Sequence, residues 1–463
     1  MVFSSLTFIS ILLPFALILH TVVKNTFFRN ALLLVVSILF YAYGEPVYVL
    51  LLIFSAFINY IFAFGCNVSN KSIRGLLLAV CVVCNLGILA VFKYSDMAVS
   101  TVNEIFSLNI PLPEIRLPVG ISFFTFQALS YTVDAYRGTA NLQKNFFKLL
   151  LYVSFFPQLI AGPIVKYHDV ETEISCRKVS TQGIQNGIGR FIIGLSKKVL
   201  LSNTLGLVAD NIFSLQESSI GSLTAGLAAV SYMLQIFYDF SGYSDMAIGL
   251  GEMFGFHFKE NFNRPYLADS MTDFWRRWHI SLSSWFKEYL YIPLGGNRKG
   301  KIRTDINKFI VFFSTGLWHG ASWTFVIWGL VHGFFLILEN HFAFIKKMPK
   351  ILRHIYTLAV VSLSFVLFRA ETFSQAWLFI KSIFSFNFGT ESVSAFAENM
   401  TPWFIFILIC SVICLFKKEQ LIRSEKILVF AEKSKYIIYM LLFVFCVLRI
   451  SSGAYNPFIY FRF

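Results

Sequence analysis

Charge is scarce in this sequence: Asp, Glu, Lys and Arg make up 14% of 463 residues, against roughly 25% in a soluble globular chain. The length alone would accommodate about three soluble domains, yet no polar stretch is long enough to form one. GxxxxGK[ST], GxSxG and HExxH are all absent. The sequence therefore offers no phosphate-cradling loop, serine-nucleophile turn or zinc-protease helix. No internal repeat of fixed period stands out, so an inverted-repeat transporter lacks its usual sequence pointer. Cysteine occurs seven times, at 66, 81, 84, 176, 410, 414 and 446, mostly inside apolar runs. Cys81 and Cys84 have CxxC spacing, but within AVCVVCNLG they read as small buried hydrophobes rather than a metal or redox pair. No metal site is expected. The apolar N-terminus lacks a basic leader and an A-x-A cleavage site, so a retained first helix is expected there.

Apolar side chains, by contrast, are abundant. The sequence is 56% hydrophobic and 18% aromatic, with 54 phenylalanines; in a water-soluble monomer these would leave large exposed apolar patches. Apolar runs recur from end to end, the pattern of an all-α polytopic membrane protein, and residues 1–463 read as a single membrane domain. The net charge of +14 sits in short loops between those runs. Such a distribution marks cytoplasmic loops and argues against a nucleic-acid partner. Residues 1–23 contain no Lys or Arg, and Lys24 and Arg29 follow at once, so the N-terminus is expected outside the cytoplasm. Lys71 and Arg74 mark the next inside loop. Asp96, Glu104 and Glu114 lie outside, and Arg137, Lys144 and Lys148 are inside again. Further basic clusters follow at 298–303, 346–353 and 417–435. The final apolar run, residues 436–450, then exports the C-terminus. About eleven membrane helices plus re-entrant pieces satisfy this alternation.

Within that context GLWHGASWTFVIWGLVHG, residues 316–333, carries two histidines, three tryptophans and four glycines without a formal charge. Both flanks of residues 305–340 are basic, so the stretch is expected to enter and leave on the cytoplasmic side. FIVFFSTGL, residues 309–317, amounts to about 14 Å of helix, too short for a ~30 Å membrane core. Residues 321–338 are long enough to return. His319, between Gly316 and Gly320, is thus expected where a short inbound element breaks at membrane depth. Backbone of that kind is tolerated only when packed in protein or lining a watery cavity. An ionisable residue there is a candidate functional site; the alternative is a neutral histidine satisfied by a neighbouring carbonyl. His332 falls on a different helical face and reads as a packing or hydrogen-bonding residue.

A second constellation spans residues 264–299, RPYLADSMTDFWRRWHISLSSWFKEYLYIPLGGNRK. Asp273 can cap a helix beginning at Phe274. Trp275, Trp278, Leu282 and Trp285 recur at helical spacing and form one apolar face, with Arg276, Arg277 and His279 beside it. The LGGNRKGKIR loop, with Asn297 and Arg298, either anchors the positive-inside topology or receives a phosphorylated ligand through backbone N–H groups and cations. A third cluster, IFYDFSGYSDMAIG (residues 236–249), sets Asp239 and Asp245 in an apolar run. They need cationic partners, for which Arg276 and Arg277 are candidates. LPVGISFFTFQALSYTVDAY and FFPQLIAGPIVKY likewise place Gly, Pro, Gln or Asp among aromatics and suggest bent or re-entrant helices.

In order along the chain, VFSSLTFISILLP, LPVGISFFTFQALSYTVDAYRG, FFPQLIAGPI, YDFSGYSDMAIGLG, ENFNRPY, FWRRWHISLSSWFKEYLYIPLGGNRKG and GLWHGASWTFVIWGLVHG resemble the membrane-bound O-acyltransferase family. Within it they are most similar to the bacterial alginate O-acetyltransferase subgroup. The resemblance implies about eleven membrane helices around a central funnel in a bacterial inner membrane. It also implies transfer of an acetyl group from cytoplasmic acetyl-CoA, with no bound cofactor, toward an extracytoplasmic polysaccharide by way of a secreted or periplasmic SGNH-type partner. The family's invariant histidine corresponds to His319 and its second conserved histidine to His279. Trp275, Arg276, Arg277, Trp278, Asn297, Arg298 and Trp318 are the accompanying candidates for binding the donor or lining the funnel.

A neutral imidazole can take a proton from the attacking hydroxyl and return it to the leaving sulfur, and burial favours that neutral form. On this reading His319 is the base, while His279 orients the donor or polarises its carbonyl. The tail FIYFRF, residues 458–463, is an aromatic interfacial belt or, by the same resemblance, an acyl-relay tail in which Tyr460 carries the acetyl group on its phenolic oxygen. The competing class is a permease or proton-coupled transporter that uses buried histidines. It predicts flux without a donor requirement.

Overall fold

The computed structural model describes residues 1–416, 425–453, 455 and 456, with the side chains at 343, 425, 426, 428, 429 and 431 excepted. Among the described residues every regular element is helical and no strand occurs. The chain divides into two compact units, residues 1–191 with 244–260, and residues 192–243 with 261–463.

The first unit opens with a π-helical turn, Phe8–Leu12, that runs into α1 (Leu13–Val22). Then come α2 (Thr26–Ala42), α3 (Val49–Gly65), α4 (Lys71–Phe106), α5 (Ile121–Arg137), α6 (Phe146–Ser154), the single turn α7 (Phe156–Leu159) and α8 (Tyr167–Ser175). Short loops end on asparagine: Asn25, Asn70 and Asn145 each accept hydrogen bonds from the first-turn amides of the helix that follows, meeting donors that have no intrahelical partner. Helices α3, α4 and α5 pack together. Their apolar contact is stitched by Asn59, whose amide reaches Asn85 at 2.9 Å while its Oδ1 accepts from Thr132 at 2.9 Å. Phe3, Phe8, Phe40 and Phe156 form an aromatic centre with ring centroids 5.0–6.4 Å apart.

The division falls within α9 (Thr181–Ser196) and α11 (Ser222–Met253); between them a π turn, Lys197–Ser202, leads into α10 (Asn203–Phe213). The second unit continues with α12 (Met271–Arg277), α13 (Ile280–Phe286), a π turn at Lys287–Tyr291, α14 (Lys301–His319), α15 (Trp323–His341), α16 (Ala343–Lys347), α17 (Lys350–Arg369), α18 (Phe373–Ile383), α19 (Thr390–Asn399), α20 (Pro402–Ile413) and α21 (Glu425–Ser451). Its core is a continuous apolar cluster to which α10, α11, α12, α14, α15 and α17 contribute.

Among the described residues five helices are long and apolar enough to cross a membrane: Lys71–Phe106, Thr181–Phe213, Trp323–His341, Lys350–Arg369 and Glu432–Ser451. A sixth crossing arises if α19 and α20, bent by 73°, form one span.

Three local expectations change. The apolar stretch 309–317 is not a short element of its own: α14 begins at Lys301 and has 19 residues, about 28 Å. Its first two turns carry Lys301, Arg303, Asp305 and Lys308, so hydropathy marks only its second half. The carboxylates of the third cluster also find partners other than Arg276 and Arg277. Asp245 accepts from Arg190 at 2.8 Å within the first unit, and Asp239 meets Lys198 at 2.5 Å within the second. Finally, α12 is capped by Ser270, whose side chain accepts from Asp273 N–H at 3.0 Å. Asp273 instead pairs with Arg277 one turn on, at 2.8 Å.

Candidate active site

Helices α14 and α15 form a hairpin with glycine at its seam. Gly316 and Gly320 on one arm, Gly329 and Gly333 on the other, repeat the small-xxx-small spacing that lets helices approach closely. A β-carbon at Gly329 would lie 2.3 Å from the Phe312 carbonyl oxygen, and one at Gly316 would lie 2.5 Å from that of Phe325. The two backbones therefore touch. At the tip α14 stops on His319, Gly320 is extended, and Ser322 caps α15 by accepting from Thr324 N–H. His319 is 4% exposed and sits among rings: Trp318 at 5.1 Å, Trp328 at 5.0 Å and Phe368 at 5.2 Å between centroids.

His279 reaches the same place from a chain break. The expected face through Trp275, Trp278, Leu282 and Trp285 is split, because the helix ends at Arg277 and restarts at Ile280. His279 itself has φ +44°, a left-handed conformation that costs a non-glycine residue about 1–2 kcal/mol. A neighbouring segment supports it. Asn263 N–H donates to the Arg277 carbonyl and Ile280 N–H to the Asn261 carbonyl, each at 2.9 Å. The buried Asn261 Oδ1 also accepts from Ser281 N–H at 3.1 Å and Ser281 Oγ at 2.8 Å, and lies 3.3 Å from His279 Nδ1. Because Oδ1 can only accept, Nδ1 carries the hydrogen in the neutral ring. That leaves Nε2 as a lone pair, fully buried and without a hydrogen-bond partner among the described residues. The His279 and His319 ring centroids are 6.4 Å apart, with Trp318 5.8 Å from His279. Residues forty positions apart in the chain thus face one another.

His332 has the packing role expected of it. Trp275 Nε1–H donates to its Nδ1 at 3.2 Å, so Nε2 carries the hydrogen and meets Ser364 Oγ at 2.9 Å, which donates onward to the Val361 carbonyl at 2.8 Å. Trp275 is held further by the anchorage of its helix. The buried Glu339 of α15 accepts from Met271 N–H at 2.5 Å and Thr272 N–H at 3.1 Å, placing a carboxylate at the positive end of α12.

Beside Trp275 opens a cleft of about 210 Å³ with Leu282, Phe286 and Phe312 in its wall and Arg276, Lys287 and Lys308 around it. Trp278 is buried against Phe274 and Phe365 instead, and Arg277 is engaged with Asp273. Asn297 and Arg298 are exposed in the turn before α14 and do not line this cleft. Tyr460 lies outside the described residues. Asn261, Glu339, Lys287 and Lys308 went unrecognised in the sequence, although ENFNRPY contains the first. Among the described residues no group of three or more His, Cys, Asp or Glu could hold a metal ion.

Residues 142–374, which include both histidines and all of α12–α15, match the membrane-bound O-acyltransferase family. A probable alginate O-acetylase AlgI from Pseudomonas aeruginosa is 41% identical over 406 residues, covering 85% of this chain and 76% of that protein. The chain belongs to the membrane-bound O-acyltransferase family. A second probable alginate O-acetylase, from Pseudomonas putida, is 37% identical and aligns over the whole of both proteins. The Helicobacter pylori peptidoglycan O-acetyltransferase is 36% identical over 80% of this chain and 76% of its own length. The protein is accordingly a multi-pass membrane acyltransferase. Its family-matched segment holds the two histidines in their aromatic enclosure and, lined by neither of them, the cation-rimmed cleft beside Trp275.

Proposed function

We propose that this acyltransferase moves acetyl groups from cytoplasmic acetyl-CoA across a bacterial inner membrane for O-acetylation of an extracytoplasmic polysaccharide, handing them to a secreted SGNH-type partner. In this reading residues 1–463 form one domain of about eleven membrane helices around a funnel, with both termini extracytoplasmic. The observation that carries it is the buried pair His279–His319, on separate elements 6.4 Å apart by ring centroid. The chain's similarity to a probable alginate O-acetylase and to a peptidoglycan O-acetyltransferase supports it. Arg276, Lys287 and Lys308 around the cleft suit the phosphates of the donor, and its apolar wall suits the thioester arm. At about 210 Å³ it takes an arm and not a nucleotide.

His319 takes the proton from the hydroxyl oxygen as that oxygen bonds to the thioester carbon. In this reading the contact with Asn261 bears on what His279 contributes. As a neutral ring its Nε2 only accepts, so it cannot polarise a carbonyl. Once a proton passes from His319 to that nitrogen, the His279 cation faces the oxyanion and donates to it, while Asn261 Oδ1 steadies Nδ1–H. As the C–S bond breaks, the proton returns through His319 to the thiolate. Asn261 is on this account a positioning residue.

The test uses purified protein in detergent with acetyl-labelled acetyl-CoA, following label release and covalent capture in wild type and His319→Ala. Loss of both in the variant, at unchanged membrane level, is expected. Donor turnover that survives His319→Ala would remove His319 from the chemistry and reopen the transporter alternative.

A further inference from the structure

In the first unit, α2 and α6 border a groove of about 430 Å³. Its α2 wall is one helical face, Phe27, Ala31, Leu34 and Val35, running about 12 Å along the axis; Phe147 of α6 faces it. These side chains are turned outward, with Phe27 68%, Phe147 65% and Val35 55% exposed. One end of the groove is polar: Asn30, Asn145, Lys148 and Ser175 line it. Lys148 Nζ donates to Ser175 Oγ at 3.4 Å and has no carboxylate partner among the described residues.

Behind Asn30 stands Arg177, which is 6% exposed. Its guanidinium donates to Asn30 Oδ1 at 2.5 Å and to the Phe254 carbonyl at 3.0 Å, meets His20 Nε2 at 3.2 Å, and lies over the Phe256 ring. All of these partners are neutral. Burial, with the Arg29 guanidinium nearby, draws Arg177 down to about 10. Glu173 acts in the opposite sense but is engaged by His257, through its ring at 2.7 Å and its N–H at 3.1 Å. A buried cation with no carboxylate in hydrogen-bond contact among the described residues is unusual. Here it adds positive potential to the end of the groove where Lys148 waits.

We propose that this groove binds an anionic phospholipid, with an acyl chain along the α2 face and the headgroup phosphate at Lys148, Ser175 and Asn145. An apolar strip ending at Lys148, which has no carboxylate partner among the described residues, is complementary to that amphiphile. The sequence topology puts Lys24, Arg29, Lys144 and Lys148 on the cytoplasmic side, the leaflet face where basic clusters collect anionic lipid.

The experiment compares the full chain, delipidated in detergent and then given phosphatidylglycerol or phosphatidylcholine with identical chains. Retained lipid is counted by native mass spectrometry. Wild type is expected to hold one phosphatidylglycerol at least tenfold more strongly. Lys148→Glu should abolish that preference, a change on the order of tenfold for reversing one charge at the headgroup. Ala31→Trp, a substitution at an exposed position that fills the groove, should reduce retention of both lipids. Equal retention of the two lipids by wild type overturns the proposal. So does displacement of bound phosphatidylglycerol by millimolar inorganic phosphate, which would make this a free-anion site. Folding of each variant is read from its thermal transition, and a variant that retains phosphatidylglycerol at the wild-type level also counts against the assignment.

Discussion

Replacing Gly329 with Ala asks how tightly the α14–α15 hairpin sets the position of His319. The new β-carbon would stand 2.3 Å from the Phe312 carbonyl oxygen and 3.0 Å from Gly316 N, where ordinary contact begins at 3.4 Å. Both obstacles are backbone, so no side-chain rotation relieves them, and the helices must part by about 1 Å. Overpacking of this size costs about 1–3 kcal/mol, which a multi-pass protein with a broad core tolerates. The catalytic consequence should be larger. Phe312 and Gly316 lie on the last turns of α14, which ends at His319, and a misplacement of about 1 Å can cost roughly 100-fold in rate. Gly329→Ala is therefore expected to reach the membrane at near wild-type level and to transfer acetyl groups about 100-fold more slowly. The assay is transfer from labelled acetyl-CoA, normalised to inserted protein. Gly316→Ala, whose β-carbon would meet the Phe325 carbonyl at 2.5 Å, should behave alike. Gly226→Ala, with nothing within 4 Å, should be silent. Full activity of Gly329→Ala at normal membrane level would refute the idea that glycine contact positions His319.

Two further substitutions separate structure from chemistry. His332→Leu strands the Trp275 N–H, which should cost about 1–3 kcal/mol, while Ser364 loses an incoming bond and still donates to the Val361 carbonyl. The thermal midpoint should fall while transfer per folded molecule stays within a few-fold of wild type; a loss as deep as that of His319→Ala would give His332 a part in the reaction. Tyr460→Phe should abolish covalent capture of the acetyl group and acceptor acetylation while leaving the protein inserted. Normal acetylation by that variant would eliminate the tyrosine relay.

What could be read from the sequence and what could not divide along one line. His319 was legible because its neighbours are also its neighbours in the chain: Gly316 and Gly320 mark the break, and Trp318 and Trp328 supply the rings around it. The kink at His279 was not, since neither glycine nor proline announces it. It exists because Asn261, 18 residues upstream, offers one oxygen to three donors and its backbone carbonyl to a fourth, at the point where the helix would otherwise have run on. Lys198 and Arg190 escaped for the same reason. They pair with Asp239 and Asp245 across helix packing that no local period records, so the sequence could suggest only cations further along the same stretch, such as Arg276 and Arg277. The start of α14 was misplaced because hydropathy senses the apolar half of a helix and not its charged first turns. The family match covers both kinds of residue without distinguishing them. On the proposed reading the chemistry is concentrated in motifs visible in the sequence, but the state of those side chains is set elsewhere. Which nitrogen of His279 is free depends on an asparagine with no motif of its own, and where His319 sits depends on a glycine on the opposite arm.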